Sequence, residues 1–579
     1  MVAKLVALLG IIMVLAVACG GAPAAPEPTV ASAPAAEPTA APGVGETSQP
    51  TATPQAAAPP AEVEVHPGPL TWMVAGWGAE RFDSVLAGTG GINQFVRLMH
   101  GFLIAANEKG EMIPGIATDW SISQDGLTWT VTVRDGVQFH DGTDLTAEDV
   151  AWTWKHEFSP ESMPYSKSTT GLSQAEVTER IEQTGPNQVS VVMTQIDSSF
   201  PVGLLAEAGP NAIGHILPKR ATLHNEAEEV AYDQNPIGAG PLKLTRHVQA
   251  DVMEFERFED FYYQPKNGLP EDRRVKVESW ALRLVPEEAT RVAAIRAGEA
   301  DIAPASLATR EQVEAGGGRL IFGPEGVYVH VRLDGCWADP NFPCHDKRVR
   351  QALDYAIDKE VIQNELYGGT EVFQAKGWAH VTPSALGYSP ELDPWPFDPD
   401  KARQLLADAG YPGGEGFGKL IVNTWVSTSM PFLPEGAQLA ADSWRRELGI
   451  DVEVRVGDET SINAARRAGD LAGQITWRDN EARMDGSSIV RSSYGTPDLE
   501  DRFHNDPELF KLVKDTLAVT DETKRPQAFN QLYRRLREET HQLGIGYVNI
   551  PWAVGPRVQE WRPFTFSFYP SAMHTITLK

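Results

Sequence analysis

The sequence predicts an α/β fold over residues 65–579, because short β-rich runs alternate there with amphipathic helical stretches. Residues 127–133 read Leu-Thr-Trp-Thr-Val-Thr-Val, a strict period-2 pattern with one apolar face. Residues 346–357 follow helical spacing instead, placing Val349, Ala352, Leu353, Ala356 and Ile357 on one stripe. A chain of 579 residues, 42% hydrophobic and 22% charged, has the composition of a globular protein with two or three folded units.

The elements follow in order. Met1 to Lys4 give a short positive start, and residues 5–17 are apolar. That run is too short to span a bilayer, which takes roughly 20 residues, so it reads as a signal peptide. Ala16-Val17-Ala18-Cys19 puts small residues before a cysteine, similar to a bacterial lipobox, and makes Cys19 the expected lipidated N-terminus anchoring the chain to a membrane. Residues 20–64 are rich in Ala, Pro, Thr, Glu and Gly and cannot bury enough surface to offset their ordering entropy, so they form an extended tether. Export places Cys336 and Cys344, eight positions apart around a Pro-containing loop, in an oxidising compartment, where they are expected to form a disulfide.

Within the folded body Gly136 and Asp141-Gly142 punctuate turns, and Thr146-Ala-Glu-Asp149 opens a helix carrying Val150, Trp154 and Phe158 on one face. Asp346 caps the helix described above. Asp398-Pro399 opens another with Ala402, Leu405, Leu406 and Ala409 inward and Gly410 at its end. Residues 435–448 form a third, closed by Gly449, and residues 450–456 alternate as a strand.

A formal net charge of −28 excludes nucleic acid as a partner, since nothing could neutralise a run of phosphates. No Walker motif, Gly-x-Ser-x-Gly, His-Glu-x-x-His or defensible carboxylate pair is present, so the chain is expected to be neither an ATPase nor a hydrolase. No His/carboxylate cluster suits a metal, and no cofactor is expected. His140 beside Asp141 sits in a turn and is read as structural.

Three long stretches carry a resemblance. Pro114-Gly-Ile-Ala-Thr-Asp-Trp120, residues 125–142 (Asp-Gly-Leu-Thr-Trp through Phe-His-Asp-Gly) and Leu145-Thr-Ala-Glu-Asp-Val150 resemble the signature of the family 5 extracellular solute-binding proteins, the oligopeptide-, dipeptide- and nickel-binding group of ABC importers. Asn235-Pro-Ile-Gly-Ala-Gly-Pro241, residues 286–302, residues 348–358 and residues 400–410 are similar to later segments of that family, in its order. Gly142, Gly238 and Gly240 are assigned to tight turns.

The resemblance implies a two-lobed periplasmic-binding-protein fold of the large, three-domain type, with a hinge and a cleft between the lobes. Residues 65–110, 235–328 and 545–579 make lobe I, residues 111–234 an inserted domain, and residues 329–544 lobe II. It further implies a monomer that closes on a small molecule and presents it to an ABC permease with a separate ATPase. Peptide binders of the family set an Asp against the ligand's α-amino group after a strand ending in Trp. The matching stretch is Gly473-Gln-Ile-Thr476-Trp477-Arg478-Asp479, with one residue between Trp and Asp rather than the usual two. Asp479 is the amine partner so implied, Asp485 the alternative, and a surface pair of Asp479 with Arg478 or Arg483 the competing reading. The glycine-rich loop with Gly88, Thr89 and Gly90 is expected to meet the ligand from lobe I, and Trp77, Trp378 and Trp425 to line the cleft. Peptide is the first expectation for the ligand; the tryptophan content keeps oligosaccharide or another small organic solute open, and a sensor rather than a permease as the receiver.

Overall fold

The computed structural model describes residues 64–579 except residue 79 and the stretches 84–91, 159–173, 206–213, 222–225, 428–429, 431, 496–505 and 567–570. The leader, the tether and Cys19 lie outside the described residues.

After β1 (His66–Val74) the chain builds a separate antiparallel sheet from β2 (Ala117–Ile122), β3 (Thr128–Val133), β4 (Thr178–Gly185) and β5 (Gln188–Met193), in the order β2-β3-β5-β4. The period-2 strand is β3, whose Trp129, Val131 and Val133 point into a core of their own. The helix α1 (Ala147–Phe158) packs on it through Val150, Trp154 and Phe158. Its start uses the expected pair: the Thr146 amide donates to Asp149 Oδ2 at 2.9 Å, and the Thr146 hydroxyl donates to the same oxygen at 2.7 Å.

Apart from two short two-stranded sheets, the remaining strands join β1 in one large sheet. They are β6 (Leu242–Val248), β7 (Val252–Arg257), β8 (Val277–Leu284), β9 (Ile302–Pro304) and β10 (Arg319–Arg332). Helices α2 (Lys347–Tyr355) and α3 (Pro399–Asp408) follow, capped by Asp346 and Asp398, whose carboxylates accept from the amides of Arg348 and Lys401. Then come β11 (Lys419–Trp425), α4 (Leu433–Leu448), β12 (Asp451–Gly457), α5 (Glu459–Ala468) and β13 (Gln474–Glu481). Three helices, α6 (Ser487–Tyr494), α7 (Pro507–Leu517) and α8 (Arg525–Glu538), precede the return strand β14 (Gln542–Val554). The strand order is β12-β11-β13-β10-β14-β9-β1-β8-β7-β6.

Two strands, 14 and 13 residues long, carry the middle of this sheet: β10 and β14, paired antiparallel. Their register shifts between Gly323 and Val327, where Glu325 takes φ 50°. Residues 552–554 pair with β9 (Ile302–Pro304), which joins β1, whereas residues 327–332 and 547–548 pair with strands from residues 373–481. The bulge is fastened at both ends. Glu325's amide donates to Asn549 Oδ1, and its carboxylate accepts from the Ser384 amide and hydroxyl.

The sulfurs of Cys336 and Cys344 are 1.97 Å apart, and both residues are fully buried beside α2. Gly142, at φ 82° in open space, serves a turn as expected. Gly238 and Gly240 differ from that expectation: neither has positive φ, and a Cβ on Gly238 would lie 1.8 Å from the Met99 carbonyl oxygen. Their reason is close approach of two backbones, not turn geometry. Gly238→Ala is therefore expected to destabilise the fold by about 1–3 kcal/mol, read as a lower urea midpoint at unchanged slope.

Burial also fixes the acid response. His100 and His140 are lowered to about 4, and His380 and His574 to about 3, chiefly because burial penalises the charged ring; His215 and His330 lie well below the ordinary value for the same reason. A folded pKa below the unfolded one means that unfolding takes up protons, so this stability is complete above about pH 6.5 and is lost as pH falls toward 4. Raised carboxyls such as Asp301 and Asp354 act in the opposite direction, near the ordinary carboxylate range. The melting temperature should drop progressively between pH 6.5 and 4; a flat profile there would contradict neutral buried imidazoles.

Candidate ligand-binding site

Strands β11, β12 and β13 form a small parallel unit within the large sheet. β11 pairs with β12 on one side and with β13 on the other. The chain leaves β11 through α4 to β12, then returns through α5 across β11 to β13. Right-handed crossovers put those two helices on opposite faces, so a crevice opens between the carboxyl ends of β11 and β13, the place where open α/β sheets bind ligands. The register fits that position: β11 and β13 pair at Ile421–Gln474, Val422–Ile475 and Asn423–Thr476, and their ladder ends there.

Asp479 stands on β13 past that point of divergence. It is buried, and Ser427, two residues beyond the end of β11, donates its hydroxyl to Asp479 Oδ2 at 2.7 Å. Strand alternation sets Trp477 and Asp479 on one face and Arg478 on the other. Trp477 packs under the first turn of α4, where a Cβ on Gly436 would lie 3.1 Å from its ring. Arg478 lies over the Trp425 ring at 5.5 Å and donates to the main-chain oxygen of Asp479 at 3.2 Å.

Neighbouring groups show the mixed field. The Glu459 carboxyl, at the exposed start of α5, is raised: its partial desolvation and Asp479 push it up while Arg478 opposes that. Burial, then Asp479 and Glu435, keeps the Tyr367 phenol protonated, with the ring stacked on Phe373. On the far side Tyr328 is pushed up to about 12 by burial against the pull of Arg478, Arg483 and Arg332. Its ring lies 5.0 Å from His330 and 6.4 Å from His380. Both ring nitrogens of His380 and the Thr382 hydroxyl are buried without a hydrogen bond. Arg483 meets a neutral partner, donating to the Ser488 hydroxyl at 2.6 Å.

The other expected site residues fall as follows. Thr476 is buried on β13. Trp77 lies in the main core edge-on to Phe95, and Trp378 in a second core with Tyr328 and Tyr533. Trp425 and Trp477 are also buried, and none of the fifteen tryptophans is exposed. Gly88, Thr89 and Gly90 lie outside the described residues. Asp485 is committed elsewhere, since its carboxylate meets Arg525 at 2.8 Å and accepts from the Ser487 amide. The structure thus brings Asp479 together with Ser427 and Tyr367 on one face of β13, and Arg478 with Trp425 on the other, where Arg483 and His380 lie around Tyr328; sequence reasoning assigned none of Ser427, Tyr367, Glu459, Arg483 and His380 to the ligand. Only Ser427 left a usable sign, as the first hydroxyl past a strand end.

The comparisons with known proteins settle the kinship. Residues 111–498 match the bacterial extracellular solute-binding proteins, family 5 Middle. The chain belongs to that family. The family 5 protein is 26% identical over 480 residues to heme-binding protein A of Haemophilus influenzae, covering 79% of this chain and 82% of that one. It is 27% identical over 455 residues to the glutathione-binding protein GsiB of Escherichia coli O1:K1 / APEC, covering 76% and 79%. Among solved structures it resembles the periplasmic binding protein DppA of Helicobacter pylori in complex with the peptide STSA, with a TM-score of 0.71, 19% identity and coverage of 89% and 98%. The fold is accordingly the two-lobed periplasmic-binding-protein type, and the protein is the substrate-binding component of an ABC importer. No helix among the described residues is long and apolar enough to cross a membrane.

The two acids should separate by experiment. Asp485→Ala leaves Arg525 buried without its carboxylate and should cost about 3–5 kcal/mol of stability, read by urea unfolding. Asp479→Ala, at a site already solvated by a serine hydroxyl, should cost less.

Proposed function

We propose that this protein captures peptides by lobe closure outside the cytoplasm and delivers them to its permease, held at the membrane by a lipid on Cys19. Lobe I is residues 65–110, 235–328 and 545–579, with residues 111–234 inserted, and lobe II is residues 329–544; β10 and β14 are the two crossings. The chain acts as a monomer, is not an enzyme and uses no cofactor. The ligand stabilises the closed form because it touches both lobes, which gives it a differential affinity for that state.

The observation that carries the peptide reading is Asp479 at the β11–β13 crevice. A buried carboxylate at that position suits a ligand ammonium, since a buried cation is held only by a compensating charge with hydrogen bonds. Arg478 on the opposite face of β13, and Arg483 shortly beyond it, supply positive charge that suits a carboxylate. A zwitterion fits that combination better than a sugar. The alternative of an oligosaccharide wants an exposed aromatic face, and the tryptophans expected at the cleft, Trp77, Trp378 and Trp425, are all buried.

The test is thermal shift with short peptides carrying free or acetylated amino termini. A ligand at a hundred times its dissociation constant should stabilise the protein by about 2.7 kcal/mol. Acetylation or Asp479→Ala should weaken binding at least tenfold, about 1.4 kcal/mol. Equal affinity for acetylated and free peptides would remove Asp479 from this role.

A further inference from the structure

The segment between β5 and the following short helix docks onto the helices that precede β14. Asp197 forms an ion pair with Arg491 of α6 in which both side chains are almost wholly buried, 1% and 5% exposed. Arg491 Nη2 also donates to the Ser199 hydroxyl at 2.9 Å. Beside it Arg525 of α8 donates to the Ser198 hydroxyl at 3.1 Å while paired to Asp485, and the Ser198 amide donates to the Leu517 carbonyl of α7 at 2.8 Å. Three consecutive residues on one side thus engage three successive helices on the other.

The docking residues are rigidly seated on their own side. The Trp129 indole donates to the Asp197 main-chain oxygen at 2.8 Å, and Phe200 is buried among Trp129, Trp154 and Phe158. Asp197 Oδ1 accepts from the Ser199 amide and hydroxyl. Met484 packs against both the core of the small sheet and the core around α6–α8. The plug and its socket therefore belong to two separate cores, and they are far apart in sequence.

We propose that Asp197, Ser198 and Ser199 with Arg491 and Arg525 form a latch that holds the inserted domain against lobe II and sets how often the ligand-free protein is closed. This rests on the two-lobe closure reading above. A buried ion pair with one partner removed leaves an uncompensated charge, so loss of either side disfavours the docked state specifically, while in the open state each charge is hydrated. The latch lies outside the Asp479 site. It shifts the open–closed equilibrium without touching the ligand, and the apparent affinity follows the closed population.

Small-angle scattering of the full mature chain without ligand tests this. An oxidised Ser198→Cys/Leu517→Cys chain supplies the clamped reference. The wild type should match that reference, and Asp197→Asn and Arg491→Gln should each show a larger radius of gyration with an unchanged far-UV helical signal. A variant that fails to fold is recognised by loss of that signal, and the wild type against the clamp then decides. A ligand-free wild type larger than the clamped chain, or folded variants indistinguishable from wild type, overturns the latch. No peptide enters the measurement, so failure of the peptide reading leaves this result untouched.

Discussion

The pairing of β10 with β14 is the constraint from which the other geometry follows. Among the described strands, those on either side of residues 323–327 are joined in the sheet through these two, and their ladder is interrupted there and again between Val329 and His330. A bulge takes residues out of regular pairing and increases local twist, so bending there breaks fewer hydrogen bonds than bending elsewhere. Glu325, at positive φ and bonded to Ser384 and Asn549, shows that the interruption is held and not merely tolerated. That fixed irregular point lies along the same strand, β10, that pairs β13 and so positions Asp479.

The local charge pattern follows from strand alternation more than from composition. A chain of net charge −28 places Arg478 beside Asp479 on β13, one on each face, with Arg483 shortly beyond. Because β11 and β13 diverge after Asn423 and Thr476, the two signs of charge emerge where the sheet opens. The global acidity belongs to the solvated surface. Affinity for a ligand depends instead on the few charges withdrawn from water, where the effective dielectric is low.

Local elements were legible because their causes are local. Asp346, Asp398 and Gly449 announce helix ends through their own backbone and side-chain chemistry, and residues 127–133 announce a strand through spacing alone. Gly238 was recognisable as special but not for the right reason, since the surface it approaches, the Met99 carbonyl, comes from a distant segment. The same limit explains Asp485, whose partner Arg525 lies on α8. Asp479 could be singled out through its resemblance to a known motif; Ser427 shows in the sequence only as the first hydroxyl past a strand end, and its bond to Asp479 depends on how the two strands diverge. A tryptophan alone says least about a ligand, because a large apolar side chain is required by a large core at least as often as by a ligand.

Kinship and ligand choice rest on different parts of this chain. Relatives at similar identity are named for heme and for glutathione, and a protein of the same fold was solved with a peptide, so the scaffold alone does not select a solute. What can vary cheaply is the rim of the crevice, because loops at strand ends tolerate change that the packed sheet does not. Here that rim presents Val426, 78% exposed, and Phe432, 39% exposed, next to the buried Ser427–Asp479 bond. The packed sheet fixes the Ser427–Asp479 bond, while the apolar residues beside it stand on the connection after β11, where substitution disturbs the core least.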